Sequence, residues 1–302
     1  MVGDKIRFRF RKSGDLRLLS HLDLTRCFER MLRRADLAFK SSRGFHPAPR
    51  MIFALSLPLG VVGDEEVLEL ELLEPAECES VRERLNRQSP GGLEFLRASA
   101  VPMKASAMAR RALYTLAIPA ERVAETNDRI RAMLDSEKVW VDRLRPRPRQ
   151  LNIRQYLRAI TLKPLAAASV AASFLTCRQI QTEPPPSDRT PSESIDGKLE
   201  NLTPQQLTDS LLTLDLWVTP SGTARADELL KALDLTDLVD GGRIVSRSLL
   251  EIHDETAPGQ PDAPPDLSPE SAPLNPTPAE AGTENEPMVA TWGLSPNGPV
   301  VE

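Results

Sequence analysis

The sequence predicts an α+β protein made of ferredoxin-like sandwiches, with two such halves and a disordered, acidic, Pro-rich C-terminal tail. Residues 5–98 follow the order β-α-β-β-β-α-β, and a similar succession begins again near residue 112. The last 49 residues contain 11 prolines, 9 acidic residues and no Lys or Arg. We therefore expect domains at 1–100 and 108–252, a flexible insertion at 181–200, and a disordered tail over 253–302.

The first elements are a strand and a helix. Residues 5–12 alternate, with Phe8 and Phe10 on one face and arginines on the other, which predicts a half-buried strand with a basic outer face. Ser20 precedes an apolar pattern of helical period, so we expect it to cap a helix that runs to about Asp36. The apolar stripe of this helix comprises Leu24, Cys27, Phe28, Met31, Leu32 and Ala35.

A constrained loop follows this helix. Gly44 permits unusual backbone angles, and Pro47 and Pro49 push their predecessors into extended conformations, as is typical of a turn or a binding surface. The same composition is also typical of a connection made rigid for stability. The other elements expected in this half are strands at 37–40 and 51–55, a strand at 67–72, a helix at 75–88 and a strand at 93–98.

The second half repeats the kinds of element without a clean repeat of residues. A basic run punctuated by proline, from Arg143 to Arg149, lies near its middle. The elements expected are a strand at 112–118, a helix at 120–135, a strand at 139–141, a hairpin of 156–162 with 168–176, a strand at 212–218, a helix at 226–233 and a final strand within 242–252.

Charge is segregated along the chain, although the net charge is only −5. Residues 1–50 carry 13 Lys and Arg against 5 Asp and Glu, whereas residues 166–302 carry 7 against 22. Such segregation indicates a basic contact surface with acidic regions elsewhere in the molecule.

The wide spacing of the cysteines and the absence of known phosphate-binding motifs exclude several chemistries. Cys27, Cys78 and Cys177 are too far apart for a disulfide framework, a zinc site or an iron–sulfur cluster. No P-loop or dinucleotide fingerprint occurs, and no apolar run is long enough to span a bilayer. We therefore expect a cytoplasmic protein with no cofactor, no metal and no membrane partner.

Four segments near the N-terminus carry a family resemblance. They read Ser13-Gly14-Asp15-Leu16-Arg17, Ser20-His21-Leu22-Asp23-Leu24, Arg43-Gly44-Phe45-His46-Pro47 and Ser56-Leu57-Pro58-Leu59-Gly60-Val61. Together they resemble the uncharacterised bacterial radical SAM-linked proteins (the DUF2344 domain), over about residues 4–252 with specific motifs in the first 65. The resemblance implies a partner radical SAM enzyme, encoded beside the protein or fused to it, and implies no activity that can be carried over to this chain.

The chain departs from that family pattern in the constrained loop. The family commonly has Gly-Phe-Asn-Pro-His-Pro there, whereas this chain has His46 in place of the asparagine and Ala48 in place of the histidine. A role that depends on the second imidazole therefore does not carry over. The acidic tail also lies outside the family pattern.

Arginines on several elements are the candidate binding residues, because the planar guanidinium group suits phosphates and base edges. The sheet lacks an exposed aromatic platform, so RNA contact would be mainly to phosphates. The alternative is a solvated charged surface paired with acidic residues of 64–83. The residues expected to bind nucleic acid or a partner are Arg7, Arg9, Arg11, Arg26, Arg30, Arg33, Arg43, His46, Arg50, Arg143, Arg145, Arg147 and Arg149.

Three functions remain open. The first is a non-catalytic accessory protein that works with a radical SAM enzyme and binds RNA, such as tRNA or rRNA, or presents substrate through a basic surface. The second is a metal-independent endoribonuclease similar to CRISPR RNA-processing (RAMP) proteins, with His46 and His21 as candidate catalytic residues. The third is a purely protein-binding subunit, with the acidic tail as a tether.

Overall fold

The computed structural model describes residues 2–45, 47–144, 148–165 and 209–255, together with the backbone of Ser271–Ala272. These residues form a mixed α/β structure with one large sheet and one small sheet. The predicted strand at 168–176, the predicted insertion and most of the predicted tail lie outside the described residues.

The first half contributes four strands to the large sheet and two helices that pack on it. The strands are β1 (Val2–Lys12), β2 (Met51–Phe53), β3 (Val62–Glu77) and β4 (Leu93–Ala100), and the helices are α1 (His21–Arg34) and α2 (Cys78–Asn86). β1 pairs antiparallel with both β3 and β4, and β2 pairs antiparallel with β3. The resulting order is β4-β1-β3-β2, in which only neighbouring strands share hydrogen bonds.

Two boundaries in this half differ from the sequence predictions. The predicted strand at 37–40 is reduced to a single bridge between Phe39 and Leu72. β3 continues to Glu77, so α2 begins later than residue 75. The carboxylate of Glu77 accepts the backbone N–H groups of Glu79 and Ser80, at 3.3 and 2.6 Å, and therefore fixes the start of α2 there.

The second half uses the same succession of elements. Its main strands are β5 (Ala109–Ile118), β8 (Leu157–Pro164), β9 (Ser210–Trp217) and β10 (Ser246–Ile252). Its helices are α3 (Val123–Asp135), α4 (Ala226–Ala232) and α5 (Thr236–Asp240). A separate small sheet contains β6 (Trp140–Arg143), β7 (Arg149–Asn152) and β11 (Ser271–Ala272). The main strands are antiparallel in the order β10-β5-β9-β8. Among the described residues β8 pairs with β9, and the partner that the sequence predicted for it, 168–176, lies outside them.

The two halves meet in one continuous sheet. A short parallel ladder pairs Val62 and Gly63 of β3 with Ser246 and Arg247 of β10. No helix within the described ranges has both the length and the apolar character needed to cross a lipid bilayer.

Each half has its own apolar core, and the second core extends into the first half. The predicted apolar stripe of α1 is buried throughout and packs on β1, where the rings of Phe10 and Phe28 meet edge to face at 5.3 Å. The core of the second half also includes Leu57, Val61 and Val67. This sharing indicates that the two halves stabilise each other.

A buried ion pair lies where the halves join. Arg247 of β10 is fully buried, and its Nε donates to Glu66 of β3 at 2.7 Å. Further donors of the same guanidinium reach the carbonyl of Leu55 at 2.9 Å and the hydroxyl of Tyr114 at 3.3 Å. Burial alone would lower the pKa of Arg247, but the negative charge of Glu66 raises it above its ordinary value. Arg247 and Glu66 therefore form a charged pair across the junction, and the guanidinium of Arg247 has hydrogen-bond acceptors from both halves.

The segment predicted to be a disordered tail from residue 253 begins with ordered structure. Residues His253–Glu255 form a short 3-10 helix directly after β10. Its first backbone N–H donates to the carbonyl of Met108 at 3.0 Å, which holds the turn against the start of β5.

Candidate anion-binding surfaces

The arginines of β1 lie inside the protein. Arg7 and Arg9 point away from the apolar core, as the alternation predicts, yet only 5% and 9% of them is exposed. The segment between β4 and β5 crosses this face, where the carbonyl of Ala105 accepts the ammonium of Lys5. The prediction of a solvent-facing basic strand is therefore wrong for Arg7 and Arg9, because later parts of the chain cover the second face of the sheet.

Carboxylates neutralise both of these arginines. Arg7 donates to Glu69 on the neighbouring strand β3 and to Asp254 after β10, each at 2.6 Å. Arg9 pairs with Glu255 and also donates to a backbone carbonyl of β10 at 2.6 Å. Burial opposes the charge of Arg7, but the hydrogen bonds to Asp254 and Glu69 outweigh it and raise the pKa of Arg7.

Two more arginines of the candidate set lie near the end of β1 and in the small sheet. Arg11 is half-buried, 3.8 Å from Asp64 and also 3.8 Å from a second carboxylate. Arg143 is only 7% exposed and forms a two-point ion pair with Glu228, with distances of 2.6 and 2.7 Å. Arg143, one of the expected binding residues, is therefore held inside the protein by a carboxylate of α4.

The rest of that run adds no described cationic group on the outer surface. Arg149 is half-buried and lies opposite Arg143 in the β6–β7 register. Arg145 and Arg147 lie outside the described residues.

Five arginines of the candidate set remain at the surface on α1 and on the loop after it. We call these residues the outer arginine surface. They are Arg26, Arg30, Arg33, Arg43 and Arg50.

Two ion pairs of the outer arginine surface, both on α1, are open to solvent. Arg26 pairs with Asp23 at 3.3 Å, and Arg33 pairs with Glu29 at 2.9 Å, with the guanidinium groups 68% and 60% exposed. Exposed pairs of this kind contribute only about 0–1 kcal/mol, so a phosphate can replace them at little cost. Within the described part of the chain, Arg30 has no ion-pair partner at all.

The helix and the loop are held rigidly by local interactions. Ser20 accepts the backbone N–H of Asp23 at 3.2 Å, which confirms the predicted cap of α1. Near the end of α1, the guanidinium of Arg33 lies 5.7 Å above the ring of Phe39, the residue that bridges to Leu72 of β3. This contact joins the basic face of the helix to the start of the loop.

Backbone hydrogen bonds close the loop itself. Ser42 donates to the carbonyl of Ala48 at 2.8 Å, and Arg50 donates its backbone N–H to Lys40 at 2.8 Å. The tip between these bonds presents Arg43 to solvent. The predicted constraint of this segment is therefore confirmed for its described residues. His46 lies outside the described residues.

His21 lies in an aromatic contact. Its ring meets the ring of Phe53 edge to face at 4.9 Å. The carboxylate of Asp23 turns instead to the hydroxyl of Ser20, at 2.7 Å, and to Arg26. Among the described residues, no hydrogen bond reaches the imidazole of His21, so they provide no acid–base pair there for RNA cleavage.

Three exposed leucines lie next to this region, and we call them the leucine patch: Leu18, Leu22 and Leu59, which are 58%, 68% and 64% exposed. The backbone N–H of Gly60 donates to the carbonyl of Arg17 at 2.9 Å, which ties the turn of Leu59 to the 3-10 helix that ends at Leu18. Sequence reasoning missed this patch because isolated leucines inside a motif give no sign of their exposure.

A cavity of about 480 Å³ opens beside Arg7 and Arg9. Arg82 of α2 and Arg97 of β4 also line it, and Glu255 lies at its wall. This site could not be predicted from sequence patterns, because its cationic groups come from three elements, β1, α2 and β4, that are distant along the chain.

The described residues show no metal-binding cluster and no reactive thiol pair. No three His, Cys, Asp or Glu side chains among them are placed to hold a metal ion. Cys27 and Cys78 are buried free thiols, and burial raises the pKa of Cys78. Cys177 lies outside the described residues.

The fold and these surfaces define a mixed α/β protein with two cores, one shared sheet and an exposed arginine surface at its N-terminal half. The chain belongs to a family described as uncharacterized protein conserved in bacteria (DUF2344), whose pattern matches residues 5–183. That range includes the outer arginine surface, the leucine patch and the strands from Lys5 of β1 to the end of β8. No curated protein matches the chain.

Proposed function

We propose that this protein is a non-catalytic accessory protein that binds RNA through the outer arginine surface and presents it to a radical SAM enzyme. The radical SAM partner rests on the family resemblance of the N-terminal motifs. The RNA class rests on charge, and tRNA or rRNA is the substrate that we would test first.

One observation carries the RNA part of the proposal: five arginines stand exposed on a capped helix and a closed loop, while Arg7, Arg9 and Arg143 are internally neutralised. Arginine binds phosphate through its planar donors, and a preformed surface avoids much of the entropy cost of ordering. The exposed aromatic residue of this loop, Phe45, offers a stacking face beside these cations.

Matched double variants test this proposal. Arg26→Gln/Arg33→Gln removes two outer arginines, whereas Arg129→Gln/Arg131→Gln removes two arginines of α3 that have the same kinds of pairs within their helix. Affinity for total tRNA and for rRNA fragments is measured by electrophoretic mobility shift over a range of salt concentrations. Counterion release makes the slope of log affinity against log salt about −0.7 to −0.9 per neutralised phosphate.

We expect the α1 variant to bind more weakly and to have a salt slope less steep by about one to two units. The α3 variant should behave like the wild type, because its arginines lie in the other half. Equal losses in both variants would show that binding depends on total charge and would contradict the proposed surface. An absence of binding at low salt would do the same.

A second function is favoured by the leucine patch, since exposed apolar side chains on adjoining segments are typical of an interface with another protein. In that case the chain is a purely protein-binding subunit, and the outer arginines serve as a polar rim. The same titrations separate the two functions. A folded wild-type protein that binds no RNA at low salt favours the protein-binding subunit.

We also propose that each half is a ferredoxin-like sandwich and that the protein works in the cytosol. The support for the fold is the β-α-β-β-α-β succession together with the orders β4-β1-β3-β2 and β10-β5-β9-β8. The support for the compartment is the pair of buried free cysteines, Cys27 and Cys78. A crystal structure with a different strand order, or secretion of the full chain, would contradict these proposals.

A further inference from the structure

The cavity beside β1 combines buried cations with an acidic occupant that comes from the end of the described chain. Arg7 and Arg9 form its floor at 5% and 9% exposure. Asp254 and Glu255 cover them, yet their own side chains are 38% and 41% exposed. The cations are therefore fixed in the protein, whereas their acidic partners lie at the boundary with solvent.

The inner contacts of the two arginines hold them in place without the acidic pair. Arg7 donates two hydrogen bonds to the buried Glu69, at 3.0 and 2.6 Å. Arg9 donates from Nη1 to the carbonyl of Leu250 at 2.6 Å. Nη2 of Arg7 also donates to Asp254, and Nη2 of Arg9 donates to Glu255, so each guanidinium keeps an inner hydrogen bond when the anion outside it changes.

The local charges leave room for a doubly negative group. Lys5, Arg7 and Arg9 carry three positive charges, and Glu69 supplies one fixed negative charge. The other two cations on the cavity wall have carboxylates of their own, Arg82 with Glu79 at 2.9 Å and Arg97 with Glu65 at 2.8 Å. Two positive charges therefore remain, and the acidic pair Asp254–Glu255 neutralises them.

We infer that this cavity is a binding site for a phosphate group, and that Asp254 and Glu255 occupy it as an intramolecular substitute. A phosphate monoester or inorganic phosphate carries about −1.5 to −2 charges at pH 7 and has oxygens that accept several arginine donors. Exchange of the acidic pair for phosphate thus keeps the local charge nearly unchanged. The site is separate from the outer arginine surface, and the inference does not depend on the proposed RNA binding.

The simpler interpretation is that these ion pairs only fasten the end of β10 to β1. The two interpretations differ in what happens when the acidic pair loses its charge. If the pairs are only a fastening contact, the arginines are left with uncompensated buried charge, and no particular anion restores the stability of the variant. If the cavity is a phosphate site, it becomes more accessible to phosphate.

The test uses the full chain with Asp254→Asn/Glu255→Gln. Thermal unfolding and isothermal titration are measured with inorganic phosphate, and chloride at equal ionic strength serves as the comparison. Because the acidic pair competes with the ligand, its neutralisation should tighten phosphate binding about tenfold or more, and phosphate should raise the Tm of the variant more than that of the wild type.

Glu228→Gln is the matched control. It also removes a carboxylate from a buried arginine, Arg143, but this pair is only 8% and 9% exposed on its two side chains. Phosphate should not rescue this variant. The inference would be overturned if phosphate had the same effect on the wild type and on both variants. It would also be overturned if chloride had the same effect as phosphate. In either case only the fastening contact would remain.

A second measurement covers the case in which the double variant does not fold. Hydrogen exchange of the wild-type chain is followed with and without phosphate. Displacement of the acidic pair should speed exchange at residues 253–255, and unchanged exchange there at saturating phosphate would overturn the inference. A parallel titration with oligonucleotides that carry a 5′-phosphate or a 5′-hydroxyl distinguishes a nucleic-acid end from free phosphate.

Failure here and failure of the proposed function are distinguishable. The variant Arg26→Gln/Arg33→Gln should leave the response to inorganic phosphate unchanged, because its residues lie on α1, outside the lining of the cavity. A loss of phosphate binding in that variant would place the phosphate site on α1 instead.

Discussion

Burial separates the arginines of this protein into two groups. Arg7, Arg9, Arg143 and Arg247 are at most 9% exposed, and each has a carboxylate within hydrogen-bonding distance. Buried pairs of this kind are sensitive to the loss of one partner, because the remaining charge has no solvent. They therefore contribute to the fold, and Arg7 and Arg9 have in addition the proposed phosphate site beside them. The exposed arginines of α1 and the following loop are available for ligands without the loss of a buried pair.

A buried lysine makes the stability of the protein depend on pH. Lys12 is 1% exposed and donates to the carbonyl of Leu19 at 3.0 Å. Burial lowers the pKa of Lys12; Glu66 opposes this effect and Arg247 adds to it. The unfolded chain keeps the lysine proton up to about pH 10.4, so it binds more protons than the folded chain between the lowered pKa and that value.

We therefore expect the free energy of unfolding of the wild type, relative to Lys12→Met, to increase with pH in that window. Below the lowered pKa both states hold the proton, and the difference between the two proteins should be constant. Urea unfolding of both proteins at a series of neutral to alkaline pH values measures it. If the difference in free energy of unfolding between the two proteins fell as pH rose, it would contradict a buried position of Lys12 that disfavours its charged form.

The sequence predicted the direction of each side chain in β1 but not its burial. Alternation places Phe8 and Arg9 on opposite faces, and this is correct. It cannot show that a segment about a hundred residues later in the chain covers the second face. None of the described residues covers the charged face of α1, so Arg26 and Arg30 lie at the surface of this part of the chain, as predicted.

Elements with a strong local signal were predictable, and elements that depend on distant pairing were not. The cap at Ser20 and the stripe of α1 follow from residues within the helix itself. β9 is separated from β8 by residues 165–209, and no local pattern selects it as the partner strand. The extension of β3 to Glu77 likewise depends on pairing with Val2 and Gly3 at the start of β1.

The turn before β4 provides a test at the level of elements. Gly92 has φ +89°, and a Cβ there would lie 2.5 Å from the carbonyl oxygen of Ser13. The same two residues share a backbone hydrogen bond of 2.7 Å. Gly242 has φ +96° with no atom within 4 Å of such a Cβ, so it offers a control with backbone strain alone.

We expect Gly92→Ala to be less stable than Gly242→Ala by about 1–3 kcal/mol, the usual range for a forced steric overlap. In both variants an alanine in the left-handed region should lower the free energy of unfolding by about 1–2 kcal/mol. Urea unfolding of the two variants and the wild type measures the difference. Equal losses would show that the loop around Ser13 does not contact this turn.

At the scale of the whole molecule, two similar halves form one sheet through a small contact. Only Val62 and Gly63 pair with β10, and the buried pair of Glu66 and Arg247 reinforces this ladder. The sequence predicted two halves because the same kinds of element recur. It could not predict the joint, since the partners are 181 residues apart and Arg247 lies in a strand without regular alternation.

This arrangement places the two proposed ligand sites on different sides of the sheet. α1 covers the face formed by Phe8 and Phe10, and the outer arginine surface lies on its solvent side. The acidic pair after β10 reaches the opposite face, where it meets Arg7 and Arg9. RNA on the outer surface therefore does not compete with the acidic pair for the same cations.

Mapping of RNA–protein crosslinks on the full chain tests the central claim most directly. The wild-type protein is irradiated with total tRNA at low salt, and the crosslinked peptides are identified by mass spectrometry. We expect the crosslinks to concentrate in residues 21–50, which carry the outer arginine surface. Crosslinks confined to residues 109–165 and 209–252, or none at all, would contradict the assignment of this surface to RNA.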